Sequence, residues 1–168
     1  GSHVSNTGLI AHFRFEEKSG TVAINEVGVR TEGDEEVTNG TFDTNITGWD
    51  SLGGWAFDSS QKAIHASGVS SDYLTKSGVL VIGRLYKYEV TTSGLDTSNF
   101  IQIYSGGAHA IHQDNASQSG TFVATSADFK VRGVSPSADI FIDNVSVKEY
   151  ATTDGTYVNA PAITTNIP

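Results

Sequence analysis

A chain of 168 residues has room for one domain of ordinary size, able to bury about 70% of its unfolded surface, and little for a second. Its 19 acidic and 10 basic residues give a formal charge of −9, which leaves no sequence-wide positive field to attract nucleic acid or anionic lipid. With no cysteine, disulfides, thiolate metal sites and cysteine nucleophiles are excluded, and the longest apolar run, 79–82, falls far short of the roughly 20 residues of a membrane span.

Apolar residues make up 38% and charged ones 17%, with 18 glycines, a composition too apolar for a disordered acidic tail and too glycine-rich for a helical bundle. The opening Gly1-Ser2-His3 reads as a scar of tag removal, and the absence of Met points to a piece of a longer protein.

Alternation of period two predicts strands throughout, and no window keeps a helical stripe. In chain order the runs are 9–15, where Leu9, Ala11, Phe13 and Phe15 share a face, then 55–58, 62–66, 72–75, 79–82, and 84–92 with Tyr86, Tyr88 and Val90 on one side. Next come 100–104, which sets Ile101 and Ile103 against Phe100, Gln102 and Tyr104, then 121–125, 129–133 and 139–148. In the last run the pattern slips by one between Ile142 and Val145, which predicts a bulge at Asp143-Asn144. Turn clusters recur at intervals of roughly ten residues, so the fold class is all-β, an antiparallel sandwich or jelly roll. The acidic stretch 30–36 reads as a solvated linker, and the composition shifts again at Ala151.

Val37-Thr-Asn-Gly-Thr-Phe-Asp43, then Gly48-Trp49, and finally the closing stretch Ile140-Phe-Ile-Asp-Asn-Val-Ser-Val-Lys-Glu149 resemble the carbohydrate-binding modules of families 4, 9 and 22, which are galactose-binding-like jelly rolls. The resemblance covers 37–150 and extends to modules of phage tail and virion proteins. A second resemblance links Gly8-Leu-Ile-Ala-His-Phe-Arg-Phe-Glu-Glu-Lys-Ser-Gly20 and Asp154-Gly-Thr-Tyr-Val-Asn-Ala-Pro161 to laminin-G-like, concanavalin-type sandwiches. The implied organisation is a tag scar at 1–3, an N-terminal flanking strand with an acidic linker at 4–36, the module at 37–150 and a C-terminal flank at 151–168. On this reading the module is inserted into a loop of a lectin-like host domain.

Sugar binding needs flat apolar rings for the C–H face of a pyranose and planar amides or imidazoles for its hydroxyls. Candidates are Phe100, Gln102 and Tyr104, an outward row if the β-branched pair points inward, or else simply a half-exposed sheet face. Trp55, beside Gly53-Gly54, suits a ring platform or the core, and for Trp49 the core is the stronger reading. The stretch 106–118 reads as the longest polar loop of the module and brings His109, His112 and Gln113 together, unless it is only a solvated hairpin connection. On a strand, positions three apart face opposite sides, so His109 and His112 make a poor zinc site. His12 and His65 alternate with apolar residues and read as partly buried, satisfied imidazoles.

The family resemblance also implies a structural calcium ion between the first and last strands. The matching acids are Asp43 and Asp143, although Asp143 equally suits a cap on the bulge. No catalytic motif is present: there is no G-x-S-x-G, H-E-x-x-H or phosphate loop. The leading expectation is therefore a non-catalytic glycan-binding module for adhesion or targeting, with an oligo- or polysaccharide partner, no nucleic acid and no membrane insertion. It would work in an extracellular, cell-surface or virion-surface setting. The alternative is a structural module of a phage virion or surface fibre, a homo-oligomer with no sugar ligand.

Overall fold

The computed structural model describes residues 13–15, 23–25, 29–60, 62–135 and 137–153. The tag scar, His12 and the second lectin-like stretch, 154–161, lie outside them. Two compact units divide the chain, one formed by Glu32–Ala151 and the other by the flanks on either side. Of the flanking unit, β1 (Phe13–Phe15) pairs antiparallel with β2 (Ala23–Asn25), Arg14 opposite Ile24.

The larger unit is built from two antiparallel sheets. Its strands are β3 (Val29–Glu35, entering from the flank), β4 (Asp50–Ser51), β5 (Trp55–Asp58), β6 (Lys62–His65), β7 (Val69–Lys76) and β8 (Leu85–Ser93). They continue with β9 (Phe100–Tyr104), β10 (Ala108–His112), β11 (Ser117–Val123), β12 (Phe129–Ser135) and the long β13 (Ile140–Thr153). A five-stranded sheet has the order β10-β9-β12-β7-β4, and a six-stranded sheet runs β11-β8-β13-β6-β5 with β3 added against β13. The arrangement is a β-sandwich jelly roll.

Alternation does what the sequence pattern demands. On β9 Ile101 and Ile103 are fully buried while Phe100, Gln102 and Tyr104 lie half-buried on the other side. Leu74, Phe129 and Val131 join the isoleucines from one sheet, and Tyr86, Tyr88, Val90, Phe122, Ile140, Ile142 and Val147 meet them from the other. The rings of Phe122 and Phe129 touch across the gap with centroids 6.0 Å apart. Each such side chain contributes about 1.5–3 kcal/mol on burial.

The opening and closing motifs hold each other. Gly40 receives the Val145 N–H on its carbonyl at 2.9 Å and lies so close to the Val145 carbonyl that any side chain would overlap it. Asn39, in a left-handed conformation, ties back the turn by donating to the carbonyls of Asn45 and Thr47 at 3.0 Å, and its own carbonyl takes the Trp49 indole N–H at 3.0 Å. Phe42 and Trp49 pack in the core with centroids 5.5 Å apart. At the other bracket the β13 register shifts between Asp143 and Ser146, with Asn144 at φ 49°, the expected bulge.

Three local expectations are corrected. The run 79–82 is a loop between Gly78 and Gly83, both at positive φ, and buries Leu80 while leaving Val81 and Ile82 exposed. The acidic stretch 30–36 is mostly strand β3: the Glu35 carboxylate accepts the Val147 N–H at 2.7 Å and the Ser146 hydroxyl at 2.5 Å, which locks it to β13. The stretch 106–118 is no long loop, because β10 and the start of β11 occupy most of it.

Candidate functional site

Three rungs of side chains cross the outer face of the five-stranded sheet. Pairing sets Phe100 beside Val134 in the first; Ile111, Gln102, Arg132 and Tyr73 in the second; and Tyr104, Lys130, Thr75 and Asp50 in the third. Each projects outward because its sequence neighbours, such as Ile101, Val131 and Leu74, are claimed by the core.

Tyr73 on β7 and Tyr104 on β9 lean toward each other over the intervening β12, their rings edge to face at 5.3 Å and 85°. The Arg132 Nη1 donates to the Gln102 side-chain oxygen at 2.9 Å, and the Tyr104 hydroxyl reaches the same oxygen at 3.4 Å. Lys130 Nζ and Arg132 Cζ lie 5.9 and 6.0 Å from the Tyr73 ring centroid. Burial, with Tyr104 alongside, raises the pKa of the Tyr73 phenol, so the hydroxyl stays neutral at ordinary pH as both donor and acceptor. The face thus offers two rings, an amide, a guanidinium and an ammonium, with exposed Ile111 at one margin and the Asp50 carboxylate at the other. An aromatic ring face suits the apolar side of a pyranose, and the fork and amide suit paired hydroxyls.

Of the residues picked from sequence, Gln102 and Tyr104 are brought together here, with Phe100 one rung away. Trp55 is not. It is 3% exposed, donates its indole N–H to the Asp72 carbonyl at 3.2 Å and meets the His65 ring at 5.2 Å. Gly54 turns the chain inward by giving its N–H to the Asp72 carboxylate at 2.8 Å, so the neighbouring glycines serve burial of the indole rather than its display.

His109 and His112 also face inward. The β10 register slips between Ala108 and Ala110, and this bulge puts both imidazoles against the opposite sheet: His109 on Phe122 at 5.0 Å, His112 on Tyr88 with Nε2 2.8 Å from the hydroxyl. Simple strand alternation had placed them on opposite sides. Burial lowers the pKa of His112 and raises that of Tyr88. His65 is fully buried rather than partly so, packed against the Trp55 ring. Gln113 is exposed past the Phe100 end of the sheet, its amide on the Thr97 carbonyl at 3.3 Å.

Asp43 accepts the Thr41 hydroxyl at 2.8 Å, and Asp143 takes the Asn144 backbone N–H at 2.7 Å and its amide at 3.1 Å, as a bulge cap would. Among the described residues no three acidic or imidazole side chains gather to hold a metal ion. Calcium takes six to eight oxygens, backbone carbonyls among them, so Asp43 and Asp143 would supply only part of its shell.

Sequence reading missed Tyr73, Lys130 and Arg132. The signal was present in the outward positions of 72–75 and 129–133, but only strand pairing shows that these share a face with Tyr104.

No protein-family model and no curated protein matches the chain. Solved structures do. The CBM22-1 and GH10 modules of endo-1,4-beta-D-xylanase 10B from Clostridium thermocellum, complexed with xylohexaose, match over 76% of this chain and 30% of that one, at 18% identity and a TM-score of 0.52. The CBM22-1 xylan-binding domain of Xyn10C from Paenibacillus barcinonensis matches over 72% and 97%, at 12% identity and a TM-score of 0.48. A family 16 carbohydrate-binding module-2 matches over 66% and 97%, at 13% identity and a TM-score of 0.46. The xylanase likeness is one of fold.

Proposed function

We propose that residues 37–150 form a non-catalytic glycan-binding module that takes an oligo- or polysaccharide across the outer face of the five-stranded sheet, serving adhesion or targeting for a larger protein. The observation that carries this is the Tyr73–Tyr104 ring pair standing over β12 beside the Gln102–Arg132 hydrogen bond. The xylanase structure that shares the fold over part of its length holds CBM22-1 and GH10 modules together with xylohexaose, which supports a sugar as the ligand class to test.

The test is affinity electrophoresis against a panel of soluble polysaccharides, followed by calorimetry on the one that retards the protein. Tyr104→Ala is expected to weaken binding about tenfold or more while the thermal midpoint holds, since the ring is half-buried and outside the core. Unretarded migration on every polysaccharide would overturn the reading. A stable oligomer that covers Tyr73 and Tyr104 would favour the assembly role instead.

A further inference from the structure

We infer that the polysaccharide is an anionic one, bearing uronate carboxylates, and that Arg132 is the residue that recognises the carboxylate. This rests on the glycan-binding reading of the same face and adds the chemical class of its ligand.

The other cations of the chain give the comparison for Arg132. With 19 acidic residues against 10 basic, a carboxylate is usually at hand. Arg84 pairs with Glu149 at 2.6 Å, Lys87 with Glu32 at 2.5 Å and Glu89 at 2.9 Å, and Lys148 with Glu32 at 3.3 Å, whereas among the described residues Lys62 closes no ion pair and Lys76 is held by the Thr38 carbonyl and hydroxyl beneath the sheet. Lys130 shares Asp128 at 3.5 Å, and Arg132, the next outward residue of β12, meets no acidic side chain among the described residues. Its partner is the neutral carbonyl oxygen of Gln102.

That contact orients the guanidinium and spends one of its five N–H donors. The Tyr73 ring flanks the group at 6.0 Å, and β-sheet pairing fixes its stem between Gln102 and Tyr73. A planar fork so held matches the two oxygens of a carboxylate, which a neutral sugar lacks. The rings of Tyr73 and Tyr104 then supply the apolar contact for the pyranose that carries the acid.

The overall charge of −9 does not contradict this. It removes long-range attraction for polyanions, but at physiological salt charges are screened beyond about 8 Å, so recognition reduces to the groups within contact. Selection by short-range geometry, rather than by a diffuse positive field, is what such a face in an acidic chain provides.

Calorimetry of the whole chain with hexagalacturonate and hexamannuronate, against neutral xylohexaose and cellohexaose, tests the inference. At least one acidic probe is expected to bind about tenfold more tightly than either neutral one, and Arg132→Gln to erase that preference. Arg132→Lys, which keeps the charge and loses the fork, is expected to restore only part of it. Neutral probes that bind as well as the acidic ones, with Tyr104→Ala abolishing them, would overturn the anionic inference and leave the glycan-binding reading standing. An acidic preference untouched by Arg132→Gln would overturn the role of Arg132. Failure of every probe and every panel polysaccharide to bind the folded protein would overturn both readings.

Discussion

On the outer side of the six-stranded sheet Glu32 reaches from β3 to close on Lys87 and Lys148, and Glu89 takes the other flank of Lys87. On the outer side of the five-stranded sheet two cations stand beside a tyrosine ring, and one of them leans on an amide. On that face the charges of β3, β8 and β13 answer one another. Hydrogen bonds from the two lysines hold the Glu32 carboxyl below its usual range, and those to Glu32 and Glu89 push the Lys87 ammonium above its own. The second face has left the Arg132 fork only partly used. Because both sheets share one core, the difference lies entirely in outward positions, where folding imposes little and a ligand can impose much.

The largest expected effect removes both faces at once. Trp55→Ala would leave a void beside His65 and Gly133 and cut the indole bond to Asp72, at a cost of about 3–5 kcal/mol in urea denaturation. Stability and sugar binding should fall together, unlike in Tyr104→Ala, where binding falls alone. Loss of binding with the urea midpoint unchanged would return Trp55 to the ligand site.

A smaller effect comes through pH and enters the binding face from beneath. The His65 ring abuts Gly133, the β12 residue between Arg132 and Val134, so closely that a Cβ there would lie 2.6 Å from it. Burial lowers its pKa from the ordinary 6.5 against the opposing pull of Asp72, and burial lowers that of His112 as well. The unfolded chain therefore takes up protons at a higher pH than the folded one does. The stability these neutral imidazoles contribute is complete above pH 6.5 and is lost as pH falls through the unfolded and then the folded value. The urea midpoint should drop between pH 7.5 and pH 5, and NMR titration should place both imidazole midpoints below 6.5. Midpoints above that value would reverse the sign.

How far the sequence reached follows from the range of each contact. Alternation along Phe100–Tyr104 is local, and it foretold the row of Phe100, Gln102 and Tyr104. The bracket motifs were legible because they are made of structure-forming residues: Gly40 is pressed against the Val145 carbonyl, and Asn39 anchors Trp49. Such residues announce a fold and say little about a ligand. Arg132 and Gln102 meet across 30 positions, and Glu32 finds Lys87 and Lys148 across 55 and 116, so a strand read as a linker and half of a site went unseen. The bulge in β10 is equally silent in sequence, for the extra residue at His109 looks like any other member of an alternating run.

Calcium removal is expected to do nothing. Asp143 lies on the six-stranded sheet, where acids find local donors or lysines, and its own carboxylate already caps Asn144. Thermal unfolding in EDTA and in excess calcium should coincide, and a higher midpoint with calcium would place the ion that the family resemblance implies.

The smallest expected change also separates the two faces most cleanly. Glu32→Gln strips Lys87 and Lys148 of their shared carboxylate and gives the six-stranded sheet two cations with weaker compensation, Glu89 alone remaining beside Lys87. Exposed pairs of this kind contribute little, so the thermal midpoint should scarcely move. If cations alone made an anion site, the variant would gain a second one for hexagalacturonate. No gain is expected at about 0.15 M salt, because isolated surface ammonium groups are screened there. Among the described residues neither lysine has a ring beside it like the one Tyr73 gives Arg132. A second calorimetric site in Glu32→Gln would show that charge suffices, and the rings and the fork on the five-stranded sheet would lose their claim to be the reason that face binds.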